Sequence, residues 1–283
     1  MPIDLKNMKT INCQIDGAIV RLSLNRPDAA NAINSVLENE LYEALKACDA
    51  DNSVKCVVLT ADGPNFSGGH DIQELATDVV EEREPATIEG KNWVRTGELL
   101  EPWWFTKLLI VAVKGYVGPH VNTLLLAADF VIAAENTHFS WAEMRVGIGT
   151  PFGSYTLMPF HFPMRVAKQL WITGGWMDAE TALRLFYVNR VVPVGEEEAL
   201  AMRYAEQFSR MELENITGNK RGIHKLYEAA GLPAMVAMGR EPYVHEGAAG
   251  EAVMEHFRMI YDKGAAAAAK SRDNDWEYEL GKI

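Results

Sequence analysis

An α/β core followed by a helical C-terminal region is the fold class that this sequence predicts. Three observations carry it. Short, wholly apolar runs of strand length stand at Cys56 to Leu59, Leu109 to Val113 and Phe130 to Ala133, as buried parallel strands require. Segments with helical spacing lie between them. After Met164 the pattern turns helical, so that alternating elements give way to a helix-only third.

Ile11 to Ile15 and Ala18 to Leu24 flank Asp16-Gly17 and read as a hairpin. Asn25-Arg26-Pro27-Asp28 breaks the second strand. Ser35-Val36-Leu37-Glu38 fits a capping box opening a helix to about Asp49, with Leu37, Leu41, Ala44, Leu45 and Cys48 on its apolar stripe. Ala61 to Gly69 is a loop, and His70 to Leu75 opens a helix. Asp78 to Glu89, acidic and broken by Pro85, reads as a mobile stretch. Asn92 to Lys107, with Trp93, Trp103 and Trp104, predicts a helix on the core. Gly115 to His120 turns into an apolar helix over Val121 to Ala128, and His138-Phe139-Ser140 suits a fourth strand. Asp178 caps a helix to Phe186, and Glu196 to Met211 and Ile216 to Ala230 are further helices. Ala265 to Ala269 is either a helix end or a tail, and the last dozen residues read as disordered.

Composition narrows the function classes. Hydrophobic residues make up 48% of the chain, ordinary for a globular protein. Acidic residues outnumber basic ones 39 to 27, for a net charge of -12. That surface repels nucleic acid and anionic lipid, so neither is a predicted partner. An anionic small ligand would need local positive charge or N–H dipoles at its site. Cys13, Cys48 and Cys56 form neither a disulfide framework nor a zinc set, so a reducing cytoplasm is the expected location. Met1 to Lys6 lacks a secretory h-region, and the apolar runs are too short or too polar to span a membrane. His138, His161, His245 and His256 show no metal-ligand spacing, so no metal is predicted. There is no phosphate-loop sequence, nucleophile elbow or dinucleotide fingerprint.

Two segments share one physical form, a buried strand, a glycine turn and a helix start. The first runs through Phe66-Ser67-Gly68-Gly69 to His70, the second through Gly115 and Gly118-Pro119 to His120. Helix starts leave amides unpaired and favour negative charge. Two such turns facing one oxygen would make an oxyanion hole, in which each donor contributes about 3 kcal/mol to transition-state stabilisation. Pro119 suits a first helical position and would make His120 the first free donor. For either loop alone the reading as a plain tight strand-to-helix turn is the favoured one, and the pair narrows the choice without settling it.

At these residues the chain resembles the crotonase (enoyl-CoA hydratase/isomerase) family. The markers are Asn25-Arg26-Pro27 with Asn31-Ala32, Phe66 to Asp71, Gly115 to Gly118 with Ala127-Ala128-Asp129, Phe139 through Glu143 to Val146-Gly147-Ile148, and Thr173-Gly174-Gly175. They extend from about Cys13 to Val194. The resemblance implies a crotonase-like spiral of ββα units over residues 1–200. Residues 201–283 would be a helical region that builds trimers or hexamers. It implies an acyl-CoA thioester as substrate, with coenzyme A entering only as part of that substrate and no separate cofactor, and a place in fatty acid metabolism. The hole donors fall on the amides of His70 and His120. Arg26, Ala29 and Ala30, with Gly68, Gly69, Asp71 and Ile72, would line the coenzyme A channel. Gly118 and Pro151 belong to the same expected substrate contacts.

Polarising a thioester carbonyl acidifies its α-carbon. One base then suffices to move a proton, whereas adding water is usually served by two carboxylates. The family's two glutamate positions fall on Glu143 and on Thr123 here, so the pair is incomplete. A lone glutamate resembles the isomerase branch, as does Ile148 to Phe152, yet hydration through Glu143 with water or an imidazole stays open. Without the resemblance Glu143 reads as a surface carboxylate, and with it as the catalytic group; Thr123 reads first as a helix residue bonding back to a carbonyl and second as a catalytic residue. His70 is expected to act through its amide, whereas the His120 imidazole is either a base or a pocket-narrowing group. The tryptophans read as core packing or as an acyl-pocket wall. Lys263, Lys270 and Arg272 are candidates for the coenzyme A phosphates. The other readings are an acyl-CoA hydrolase or C–C bond-cleaving enzyme using His120, and a non-catalytic acyl-CoA binder.

Overall fold

The apolar runs pair side by side, as their burial on two faces demands. A computed structural model describes residues 5, 7–81, 101–146, 154–238, 251–274 and 281–283. The chain opens with β1 (Ile11–Asp16) and β2 (Ile19–Leu24), an antiparallel hairpin pairing Asp16 with Ile19 across Gly17. Helix α1 (Ser35–Ala50), strand β3 (Cys56–Ala61) and helix α2 (Ile72–Val80) follow. Then come α3 (Glu101–Trp104), β4 (Leu108–Val113), β5 (Tyr116–Val117), α4 (Val121–Ala127), β6 (Phe130–Ala134) and β7 (His138–Ser140).

β1-β2-β3-β4-β6 lie in one sheet, parallel from β2 onward, while β5 and β7 lie in a second. The turns that begin with β4 and β6 each give one strand to each sheet, as in the expected spiral of ββα units, while after β3 the second sheet is met, among the described residues, only by the single bridge Ser67–Val117. The alternation of side chains along β3 divides the core. Val57 and Leu59 face the cluster holding Leu37, Leu41 and Leu45 of α1, whereas Cys56 and Val58 face a second cluster.

The later part departs from a helix-only reading. Helices α5 (Ser154–His161) and α6 (Met164–Ile172) lead to strand β8 (Trp176–Asp178), helix α7 (Ala179–Arg184) and strand β9 (Arg190–Val192). β8 extends the small sheet beside β7, and β9 the large sheet beside β6. At three residues each, these strands are too short to show a period. Helix α8 (Glu197–Ser209) covers the second face with Ala201 and Ala205. Helices α9 (Leu213–Ala229) and α10 (Leu232–Met238) follow. Lys220 of α9 bonds to Asp129 and to the Lys107 carbonyl, at 2.7 and 2.8 Å.

The last helices, α11 (Glu251–Lys263) and α12 (Ala265–Asn274), return to the front of the molecule. Val253, Phe257 and Ile260 of α11 pack on Ala76 of α2, joined by Ala268 of α12. The alanine run therefore begins a helix. Of the last dozen residues, 275–280 lie outside the described residues, and the Ile283 amide donates to the Trp176 carbonyl at 3.2 Å. Of the predicted helix Asn92 to Lys107, the described part is helical over Glu101–Trp104; Trp93 and most of Asp78 to Glu89 lie outside the described residues. No helix among the described residues is long and apolar enough to cross a membrane.

Candidate active site

The first glycine turn is stitched to the segment after β2. The Asn31 side chain donates to the carbonyls of Asp62 and Asn65, and the Ser67 hydroxyl to the Asn31 carbonyl. The Gly68 amide donates to the Ala30 carbonyl, the Ile33 amide to the Gly69 carbonyl, and the Asp71 amide to the Ile33 carbonyl. Arg26 clasps the result, binding the Ala32 carbonyl and the Asp71 carboxylate, the latter at 2.9 Å. Asp71 in turn caps α2 by accepting from the Glu74 amide.

The second turn locks onto the first. The Gly118 amide donates to the Ser67 carbonyl at 2.8 Å. Gly69 has a φ of +91°, and a Cβ there would sit 3.3 Å from Pro119. His120, reached one residue later, is the N-cap of α4, so Pro119 precedes the helix instead of occupying its first position. The reason is a tight opening turn, in which Asn122 and Thr123 donate to the carbonyls of Pro119 and His120. The imidazoles of His70 and His120 stack with centroids 3.5 Å apart. Among the described residues, no acceptor meets the backbone N–H of either histidine.

Beside this junction lies a cavity of about 440 Å³. Ala29, Gly68, His70, Asp71, Ile72, His120, Thr123 and Glu143 line it. Of the other predicted contacts, Ala30, Gly69 and Gly118 build the turns themselves, and Arg26 is engaged with Asp71. Pro151 lies outside the described residues, as do Gly147 to Phe152. Trp103 packs on His224 and Tyr227 of α9, and Trp104 is half exposed; neither lines the cavity.

Glu143 sits in the 3-10 helix Ala142–Val146, held by Trp141, whose amide donates to the Gly175 carbonyl. Burial pushes its carboxyl up to about 8, with the Arg272 guanidinium pulling the other way. Burial drives His70 down to about 4, and His120 well below its usual range, with His70 adding to the effect. The site therefore holds a largely neutral carboxyl and two neutral imidazoles near pH 7.

Two parts of the site escaped the sequence reading. The first is Glu38. The cap of α1 is Asn34, which accepts from the Leu37 amide, while Ser35 donates through its amide and hydroxyl to Glu74. The expected capping box is thus replaced, and Glu38 takes a different place. It lines the cavity, with Oε1 4.0 Å from Nε2 of His120. The second is the C-terminal wall: His256, Phe257, Ile260 and Ala265 face the cavity. Of the proposed phosphate-binding cations, Arg272 reaches it, while Lys263 and Lys270 are exposed elsewhere. No cluster of metal ligands occurs among the described residues.

A family model described as enoyl-CoA hydratase/isomerase matches residues 14–255. A protein of Rhizobium meliloti (strain 1021) described as "Probable enoyl-CoA hydratase" is 30% identical over 221 residues, covering 78% of this chain and 83% of its own. The carnitinyl-CoA dehydratase of Citrobacter koseri is 28% identical over 269 residues, covering 92% and 95%. The crystal structure of an enoyl-CoA hydratase/isomerase from Xanthobacter autotrophicus Py2 superposes with a TM-score of 0.84 at 25% identity, over 95% of this chain and 99% of that one.

Proposed function

The chain belongs to the enoyl-CoA hydratase/isomerase family, and from that premise we propose that it polarises an enoyl-CoA thioester between the backbone amides of His70 and His120 while Glu143 moves a proton at the adjacent carbon. The interlocked glycine turns carry this reading. They bring both histidines to one junction, at a cavity that also holds Glu143.

Withdrawal of electron density by two N–H donors lets the α-proton leave as charge builds on the thioester oxygen. Those donors need little reorganisation, because the Gly118–Ser67 hydrogen bond already ties the two turns together. Glu143 in its ionised form accepts the α-proton, and in its neutral form returns one. Ala29 and the strip Gly68 to Ile72 lie where the coenzyme A chain would pass, with Ala30, Arg26 and Asp71 holding that strip in place. The exposed Ile223 and Leu226 of α9 support assembly of copies, as a trimer or hexamer, through the 201–283 region.

The test is a panel of saturated and unsaturated acyl-CoA thioesters in deuterated water. Deuterium entering at the α-carbon is the expected result. Release of free coenzyme A without such exchange would replace this reading with thioester hydrolysis, and no reaction with any thioester would leave a binding protein.

A further inference from the structure

Thr123 leaves the cavity without a second carboxylate at the position where the resemblance expects one. The cavity nevertheless contains another. Glu38 stands on the first turn of α1, its side chain 10% exposed, with Oε1 4.0 Å from Nε2 of His120, whose side chain is 5% exposed. The His120 Nε2 has no hydrogen-bond partner among the described residues. The ring is held in place by its stack on His70. Brought within hydrogen-bond distance of that carboxylate, Nε2 would carry the N–H and leave the lone pair on Nδ1.

We propose that Glu38 positions the His120 imidazole as a second proton-transfer group, so that this site adds water to, or removes it from, an enoyl-CoA. The inference rests on the thioester reading above and narrows it to one reaction class. In the forward step a water O–H bond breaks and its oxygen bonds to the β-carbon. The proton passes to Nδ1 of His120, and the resulting imidazolium is balanced by Glu38. The π electrons of the double bond move toward the thioester oxygen on the two amides. Collapse of that enolate takes a proton from neutral Glu143 to the α-carbon, and the imidazolium proton returns to Glu143 through solvent. No oxidant or further reactant is needed.

The environments separate the two groups in the required sense, with a carboxyl held neutral as the acid and an imidazole held neutral as the base. The other ionisable or charged groups lining the cavity are His70, Asp71, Glu74, Asp78, His256 and Arg272, with Tyr116. Asp71 is bound by Arg26, and Glu74 by Ser35. Glu38 is the carboxylate that approaches the His120 ring, at 4.0 Å.

The experiment compares wild type, Glu38→Gln and Glu38→Asp at pH 8, where about half of the Glu143 carboxyl is ionised. Two rates are followed in parallel. One is ¹⁸O incorporation from labelled water into enoyl-CoA probes from but-2-enoyl-CoA upward. The other is α-deuterium exchange of the matching saturated thioesters. Glu38→Gln should lower water addition by about 100-fold, the usual scale for losing a positioned acid or base, and leave exchange within about twofold. Glu38→Asp should recover part of the loss. Equal loss of both rates would make Glu38 merely structural and overturn the inference, as would unchanged water addition. Wild-type exchange without oxygen incorporation from any probe overturns it too, while leaving the thioester reading intact. Absence of both wild-type rates sinks that reading itself.

Discussion

The α-carbon of Gly118 rests against the Gly68 peptide so closely that an added Cβ would lie 2.2 Å from the Gly68 carbonyl oxygen and 2.5 Å from the Gly69 nitrogen. No side chain fits, and the obstruction is backbone that cannot rotate away. Gly118→Ala should force the two turns apart and misplace one amide donor. Loss of a donor costs on the order of 100-fold in rate, and overpacking costs about 1–3 kcal/mol of stability. Steady-state kinetics with a thermal melt checks both. Gly222→Ala, on an exposed face of α9 with nothing within 4 Å, is the control. It should leave the two turns untouched and gain up to about 1 kcal/mol of subunit stability from helix propensity.

Glu143→Gln keeps the shape of the carboxyl and removes its acid–base function. Turnover should fall by about 10²- to 10⁴-fold, with binding of a saturated acyl-CoA unchanged by calorimetry. A rate close to wild type would move the proton chemistry to another group.

Strand-length apolar runs such as Val57 to Leu59 and the paired glycine turns were legible because their signals are local. Glu38 left a local trace as well. It shares the buried stripe of α1 with Leu41 and Leu45, a carboxylate among apolar side chains. Its meaning depended on α4 bringing His120 opposite, which no spacing in the sequence reveals. The C-terminal wall was hidden for the same reason. Val253, Phe257 and Ile260 form an apolar helical face, but only the fold shows that this face closes over Ala76 of α2. β8 and β9 were missed because their three-residue length carries no periodicity.

Asp71 has two duties, capping α2 and holding Arg26. Asp71→Asn should retain the cap and lose the charge pair. Asp71→Ala should lose both, destabilising the protein by about 1 kcal/mol from the cap alone. KM for acyl-CoA should rise in both variants, because the Arg26 clasp holds the strip lining the cavity. Chemical denaturation and substrate titration separate the two effects, and an unchanged KM would remove the clasp from any role in binding.

Burial of Glu143 also makes stability depend on pH. In the unfolded chain its carboxyl titrates near 4.5, and in the folded protein at about 8. The folded state therefore holds a proton that the unfolded state has released between those values. The contribution is full below 4.5, falls as pH rises, and is gone above about 8. Glu143→Gln has no proton to lose. Its melting temperature relative to wild type should thus increase between about pH 5 and pH 8, by about 2–4 °C for each kcal/mol recovered. A difference that stays flat across this range would place the carboxyl in an ordinary solvated setting.

Arg272 gives the same titration a handle from the other end of the chain. Its guanidinium lines the cavity from α12 and opposes the upward push of burial on Glu143. A nearby positive charge favours the carboxylate form, so Arg272→Ala should carry the Glu143 value above about 8. Exchange of the α-proton needs the ionised carboxyl, so its rate climbs with pH through that value. The midpoint of the climb should move to higher pH in Arg272→Ala, while the plateau at high pH stays near that of wild type. Water addition needs the neutral carboxyl as the proton donor and should persist to higher pH in the same variant. Opposite movement of either limb would mean that Arg272 acts on the bound thioester and not on Glu143.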